Sequence, residues 1–229
     1  MTRIALLHTG AVVIAPIAER TRALMPDATV VNYLDDRIVA DLGDADRAAS
    51  VPERLVELAR AARAGGADVV MFTCSSISHL AAPTQEAVGI PVLRIDEAMA
   101  DDAVRTGPRI AVLATPPTTL VPTVGLLREW ALLAGVEVQI ADEVIDGAFA
   151  AVSSGDRATH DRLVAAAIER HAPHADVIVL AQASMASAAE AADTEVSVLT
   201  SVAPGIERLR SVLIDESRQD ESRQGGDLR

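Results

Sequence analysis

Two stretches of this chain are near copies of each other. ADVVMFTCSSISHLA over residues 67–81 and ADVIVLAQASMASAA over residues 175–189 align without a gap at an offset of about 108 residues, and self-similarity at a fixed period marks a repeated structural unit. The same offset, within two residues, lays RIALLHT from Arg3 on RIAVLAT from Arg109, and RLVELARAARAGGADVV from Arg54 on RLVAAAIERHAPHADVI from Arg162. One α/β lobe is therefore written twice. Each copy ends its apolar runs in polar turns, and two such lobes facing each other line a cleft, the usual ligand site of open α/β sheets.

Apolar runs of strand length fall at Arg3–His8, Thr29–Tyr33, Asp68–Thr73 and Pro91–Ile95, and again at Arg109–Ala114, Glu137–Ile140, Asp176–Ala181 and Val196–Leu199. Between them, periodic segments predict helices around Val51–Ala64, Ser76–Val88, Leu120–Ala134, Ala158–His171, Met185–Ala192 and Pro204–Ile214, with Gly65-Gly66 and Gly135 as stops. Alternating strands and helices on short connections imply parallel sheets covered on both faces. The expected fold is α/β: two pseudo-twofold-related lobes, each a flavodoxin-like parallel four-stranded sheet flanked by helices, with the active-site cleft between them. The first lobe is placed at 1–98 and the second at 99–214, divided near Met99–Gly107, with helix 204–214 able to pack back on the first. The tail 215–229, DESRQDESRQGGDLR, has no apolar face before Leu228, a composition that predicts disorder.

Composition narrows the chemistry. Half of the residues are hydrophobic and the net charge is −13 with no basic run, so neither nucleic acid nor an anionic membrane is an expected partner. Arg3–His8 reads as a strand and not as a cleavable leader, and no apolar stretch nears the roughly 20 residues that span a bilayer, which predicts a cytoplasmic protein. All basic side chains in the Lys and Arg count are arginine. Without lysine there is no aldimine anchor for pyridoxal phosphate and no Walker-loop lysine, and the lone cysteine, Cys74, allows neither an intrachain disulfide nor a multi-thiolate metal site. His171 and His174 lack a third ligand nearby, so no metal and no cofactor are expected. Oligomeric state is not legible; a homo-oligomer stays open.

Four polar turns fall at strand ends that a parallel sheet brings to one edge: His8-Thr9-Gly10, Thr73-Cys74-Ser75-Ser76, Thr115-Pro116-Pro117-Thr118-Thr119 and Gln182-Ala183-Ser184. In the second, the thiol sits where a buried strand meets a predicted helix start, whose N–H groups and dipole favour a thiolate. Ser75 and Ser76 add hydroxyls suited to a carboxylate or an enediolate. Such a cysteine is either an activated group or a small buried apolar one beside two serine caps; the polar turn opposite favours the first. Tyr33 ends the second strand and either points its hydroxyl into the cleft or packs. Gln182 and Ser184 can orient a polar substrate. The loop bearing Asp35, Asp36, Asp41, Asp44 and Asp46 reads as solvated surface.

These turns resemble those of the cofactor-independent aspartate/glutamate/hydantoin racemase superfamily, over nearly the whole chain up to about Ile214. The resemblance implies two facing lobes that each offer a cysteine to one face of a substrate α-carbon, without metal or pyridoxal phosphate. Thr73-Cys74-Ser75-Ser76 is similar to the first cysteine turn, Ala114-Thr115-Pro116-Pro117-Thr118 to the family's small-Thr-x-x-Thr turn, and His8-Thr9-Gly10 takes the turn after the first strand. It further implies that Ser75, Ser76, Thr115 and Thr118 bind a substrate carboxylate. The chain departs from the pattern at Gln182, which aligns with Cys74 and replaces the second thiol by an amide that neither gives nor takes a proton at ordinary pH. His8 is the candidate second acid/base group. The expected function is isomerisation at the α-carbon of a small carboxylate or dicarboxylate through Cys74. The alternatives are a single-thiol decarboxylase of a malonate-type acid, a maleate-isomerase-like addition of the thiol to an alkene, and a small-acid-binding module without turnover.

Overall fold

The computed structural model describes residues 1–189 and 191–226, with side chains described as far as Asp215. The first repeat runs β1 Arg3–His8, α1 Ile14–Leu24, β2 Thr29–Leu34, α2 Ile38–Leu42, α3 Ala45–Ala48, α4 Val51–Ala64, β3 Val69–Phe72, α5 Ala81–Val88, β4 Val92–Arg94 and α6 Glu97–Thr106. The second runs β5 Arg109–Ala114, α7 Pro117–Ala134, β6 Gln139–Val144, α8 Ala148–Ser153, α9 Arg157–His171, β7 Val177–Leu180, α10 Ala186–Ala189, β8 Ser197–Thr200 and α11 Val202–Gly226. The strands form two parallel four-stranded sheets, ordered β2-β1-β3-β4 and β6-β5-β7-β8. The expected α/β duplication and parallel sheets are thus present.

Side-chain alternation explains why each sheet is covered twice. In the first lobe Ile4, Leu6, Val69 and Met71 face one layer while Ala5, Leu7, Val70 and Phe72 face α4 and α5. In the second, Ile110, Val112, Val177 and Val179 face α6 and α7, while Ala111, Leu113, Ile178 and Leu180 face α9 and α10. The duplication extends to a polar clip at the strand starts. Asp68 accepts from the N–H of Arg3 at 2.7 Å, and Asp176 accepts from the N–H of Arg109 at 2.9 Å.

The lobes also trade helices. After β4 the chain enters α6, whose Met99, Ala100 and Ala103 are buried against the second sheet; after β8 it enters α11, whose Ile206 and Leu209 are buried against the first. The dividing segment 99–107 is therefore mostly helix. Two departures from the sequence reading follow local chemistry. Helix α1 is missing from the predicted set because Pro16 interrupts the pattern, yet a proline in the first turn displaces no helical hydrogen bond. The helix expected from Ser76 instead begins as a turn and a 3-10 segment, Ser78–Leu80, and becomes α-helical at Ala81. At the other end, α11 continues past Asp215 to Gly226, across most of the segment whose composition predicts disorder; residues 227–229 lie outside the described residues.

Candidate active site

Because all strands of a lobe run the same way, the turns after β1, β3, β5 and β7 meet at one edge, and the two edges enclose an interlobe cavity of about 480 Å³, within the range of small-molecule sites. Its wall takes Thr9, Thr73, Cys74, Ser75 and Ser76 from the first lobe and Pro116, Thr119, Gln182, Ala183 and Ser184 from the second. Cys74 is half-buried there. The N–H of Ile77 closes its turn by donating to the Cys74 carbonyl at 3.2 Å, whereas the N–H groups of Cys74, Ser75 and Ser76 have no acceptor among the described residues. With α5 starting seven residues beyond the thiol, these turn amides, and not a helix terminus, are the donors next to it.

Several hydroxyls at the site are already committed. Ser76 Oγ and Thr119 Oγ1 lie 2.9 Å apart, a buried hydrogen bond that joins the lobes and leaves one of the two protons for the cavity. Ser78 donates its hydroxyl to the Cys74 carbonyl at 3.2 Å. Asp96 is fully buried, with Oδ1 3.3 Å from Arg94 Nε and, among the described residues, no hydrogen-bond partner for Oδ2. Burial pushes its carboxyl above the usual range, against the opposing pull of Arg94 and of the Ser78 and Ser75 hydroxyls. Nothing in the sequence pattern singles Asp96 out; only the fold carries the end of β4 behind Ser75.

Gln182 is fixed by its oxygen. Oε1 accepts from both the N–H and the hydroxyl of Thr115, each at 2.7 Å, so the amide NH₂ is the group left for the cavity. Thr115 consequently does not line the cavity; it aims Gln182. Thr118 is also off the wall, its hydroxyl buried without a partner among the described residues, and the neighbouring Thr119 takes the wall position. Of this turn, Pro116 and Thr119 line the cavity, and the two threonines that the resemblance implies as carboxylate ligands do not.

Two further residues lie elsewhere. Tyr33 runs along α4 with its hydroxyl beside Gly65 at the strand-start end of the sheet, away from the cavity. His8 is 1 % exposed and absent from the cavity wall. Its Nδ1 is 2.8 Å from Thr73 Oγ1 and its Nε2 2.9 Å from the Asn32 side chain. The Thr73 hydroxyl also lies 2.9 Å from the Leu7 carbonyl. Burial lowers the His8 pKa, partly offset by the acceptor Oδ1 of Asn32, and a neutral ring satisfies both contacts by donating Nε2–H to Asn32 Oδ1 and accepting the Thr73 hydroxyl proton at Nδ1. Both ring nitrogens are therefore engaged, and His8 reaches the site only through Thr73.

The remaining wall was not foreseen. Val12 and Val13 follow the first turn, Asp36 and Val39 come from the loop and helix after β2, and Phe149, Val152 and Ser153 from α8. The repeat itself holds the missing signal, because Val39 and Phe149 stand at its offset and their short helices follow equivalent strands. The acidic loop is also more than solvated surface. Arg54 binds Asp41 Oδ2 at 2.6 Å and Asp35 Oδ2 at 2.5 Å, which fixes the loop to α4 and holds the Asp41 carboxyl below its ordinary range. Among the described residues, no three His, Cys, Asp or Glu side chains cluster as a metal site, and no helix is long and apolar enough to cross a membrane.

The architecture is shared with solved enzymes. Glutamate racemase from Thermus thermophilus superposes with a TM-score of 0.75 at 17% identity, covering 94% of this chain and 82% of its own. Allantoin racemase from Klebsiella pneumoniae gives 0.64 at 21% identity over 93% and 88%, and arylmalonate decarboxylase 0.54 at 20% over 91% of each. At these identities the likeness carries the fold. No curated protein sequence matches the chain. A sequence model described as Asp/Glu/Hydantoin racemase does match, over residues 6–209, and with that match spanning both repeats and all four cavity turns, the chain belongs to the Asp/Glu/Hydantoin racemase family.

Proposed function

We propose that the protein is a cofactor-independent isomerase of the racemase type that works at the α-carbon of a small carboxylate, with Cys74 as its acid/base group. The observation that carries this reading is the convergence, on one interlobe cavity, of the Cys74 thiol, the free N–H groups of its turn and the amide NH₂ of Gln182. In the forward step the thiolate takes the α-proton, the C–H electron pair moves into the carboxylate as an enediolate, and the turn amides, the Ser76–Thr119 pair and Gln182 hold the added negative charge. Thr9 and Ser184 supply further hydroxyls. Thr73, aimed by His8, shapes the wall beside the thiol. Return of a proton to the opposite face falls to water or to a reoriented substrate, because Gln182 is a donor of hydrogen bonds and not of protons.

Gln182 also supports a second reading, decarboxylation of a malonate-type acid. There the bond to the departing carboxylate breaks, its electron pair forms the same enediolate, and the Cys74 thiol delivers one proton to one face. The two readings demand opposite states of the sulfur at the start of the cycle, thiolate for proton abstraction and thiol for proton delivery. Proton NMR in deuterium oxide with wild type and Cys74→Ala, across amino, hydroxy and malonic acids, separates them. Cys74-dependent α-deuteration without carbon dioxide supports the isomerase, whereas carbon dioxide release with one deuteron gained supports the decarboxylase. Identical spectra for wild type and Cys74→Ala throughout would sink both and leave the binding module.

A further inference from the structure

The cavity wall combines two kinds of surface. Cys74, the turn amides and Gln182 supply hydrogen-bond donors, Thr9, Ser153 and Ser184 add hydroxyls, and Val12, Val39, Phe149 and Val152 supply apolar surface. Among the described residues that line it there is no arginine and no histidine, and the sole charged side chain is Asp36. Its neighbours Asp35 and Asp41 are spent on Arg54, whereas Asp36 has no ion-pair partner among the described residues. Arg20 and Arg157 line a second groove that shares Val12, Val13, Ala183 and Ser184 with this cavity, and Arg157 is held there by the Ser184 carbonyl at 2.8 Å.

From this arrangement we infer that the site takes 2-substituted monocarboxylates whose α-substituent is apolar, and rejects acids that carry a second carboxylate on that substituent, as aspartate and glutamate do. The inference rests on the α-carbon reading above. One carboxylate is satisfied by the neutral donors of the Cys74 turn. A distal carboxylate would instead be desolvated against valine and phenylalanine with no cation to receive it, and would approach the like charge of Asp36. An apolar group gains in the same place by leaving water.

The test compares 2-phenylglycine and 2-aminobutyrate with aspartate and glutamate, using α-proton exchange in deuterium oxide and ligand-observed saturation transfer on the wild-type protein. Exchange and binding at least about tenfold stronger for the apolar pair is the expected result. Equal or better handling of aspartate or glutamate overturns the inference, as does failure of the apolar acids to bind. If all four acids fail to exchange, the α-carbon reading has failed, and the binding order alone decides the specificity. A second arm uses Phe149→Arg, at a position 43% exposed and therefore tolerant of charge. It is expected to tighten aspartate and glutamate binding by at least about tenfold, and unchanged affinity for both counts against the inference.

Discussion

At the scale of single residues, the site depends on which atoms are already satisfied. Gln182 is the sharpest case, because two bonds from Thr115 to one oxygen decide that nitrogen faces the cavity. Gln182→Glu keeps the acceptor but replaces the donor with negative charge, and kcat/KM for whichever reaction is found is expected to fall about 100-fold, as for loss of an oxyanion donor; steady-state kinetics measure it, and an unchanged value would remove Gln182 from charge stabilisation. His8 gives a pH signature. The unfolded chain protonates it near pH 6.5, while burial delays protonation in the fold. Between those values the unfolded state holds more protons, so this contribution to stability is complete above about pH 6.5 and is lost as pH falls through the folded value. Urea midpoints followed from about pH 8 to about pH 5 should decline on the acid side in wild type and decline less in His8→Asn, which has no imidazole to titrate.

The elements are placed by a few close approaches. A Cβ on Gly205 would stand 2.3 Å from the Ile95 carbonyl oxygen, so glycine is what allows the start of α11 to lie against the end of β4. Gly205→Ala must displace backbone, and a loss of about 2 kcal/mol in urea unfolding is expected; no loss would mean that the helix end yields freely. The start of α7 illustrates a different control. Pro117 takes the first position, where it displaces no helical hydrogen bond, and only Pro122 removes a donor from the ladder, while Thr119 of the first turn stands beside Ser76 of the other lobe. A helical period in the sequence identifies α7 but does not say which threonine of its first turn will face the cavity, because that depends on the few degrees of rotation set by this start. For the acidic loop, Arg54 is the tether. Arg54→Ala is expected to raise amide hydrogen exchange over residues 35–48 by at least about tenfold, with α4 itself still protected.

At the scale of the whole molecule, the reciprocal exchange of α6 and α11 makes each lobe complete the core of the other. Deleting residues 202–229 would strip Ile206 and Leu209 from Ile4, Leu6 and Met71, and is expected to abolish cooperative folding of both lobes in calorimetry instead of leaving a folded second lobe. The sequence by itself determined the duplication, the parallel sheets and the four turns, because these rest on period, apolar runs and turn chemistry that each segment carries locally. It likewise put Thr9, Thr73, Cys74, Ser75, Ser76, Gln182, Ala183 and Ser184 at the strand ends that border the cavity, since a parallel strand must deliver its following turn to one edge. Only the tertiary structure decided which turn atoms stay free. Thr115 is consumed by Gln182, and His8 by Thr73 and Asn32, both through contacts between segments distant in sequence. The apolar wall from Val39 and Phe149 follows the same logic, for it exists only when the loops after β2 and β6 close over a cavity that neither lobe can form alone.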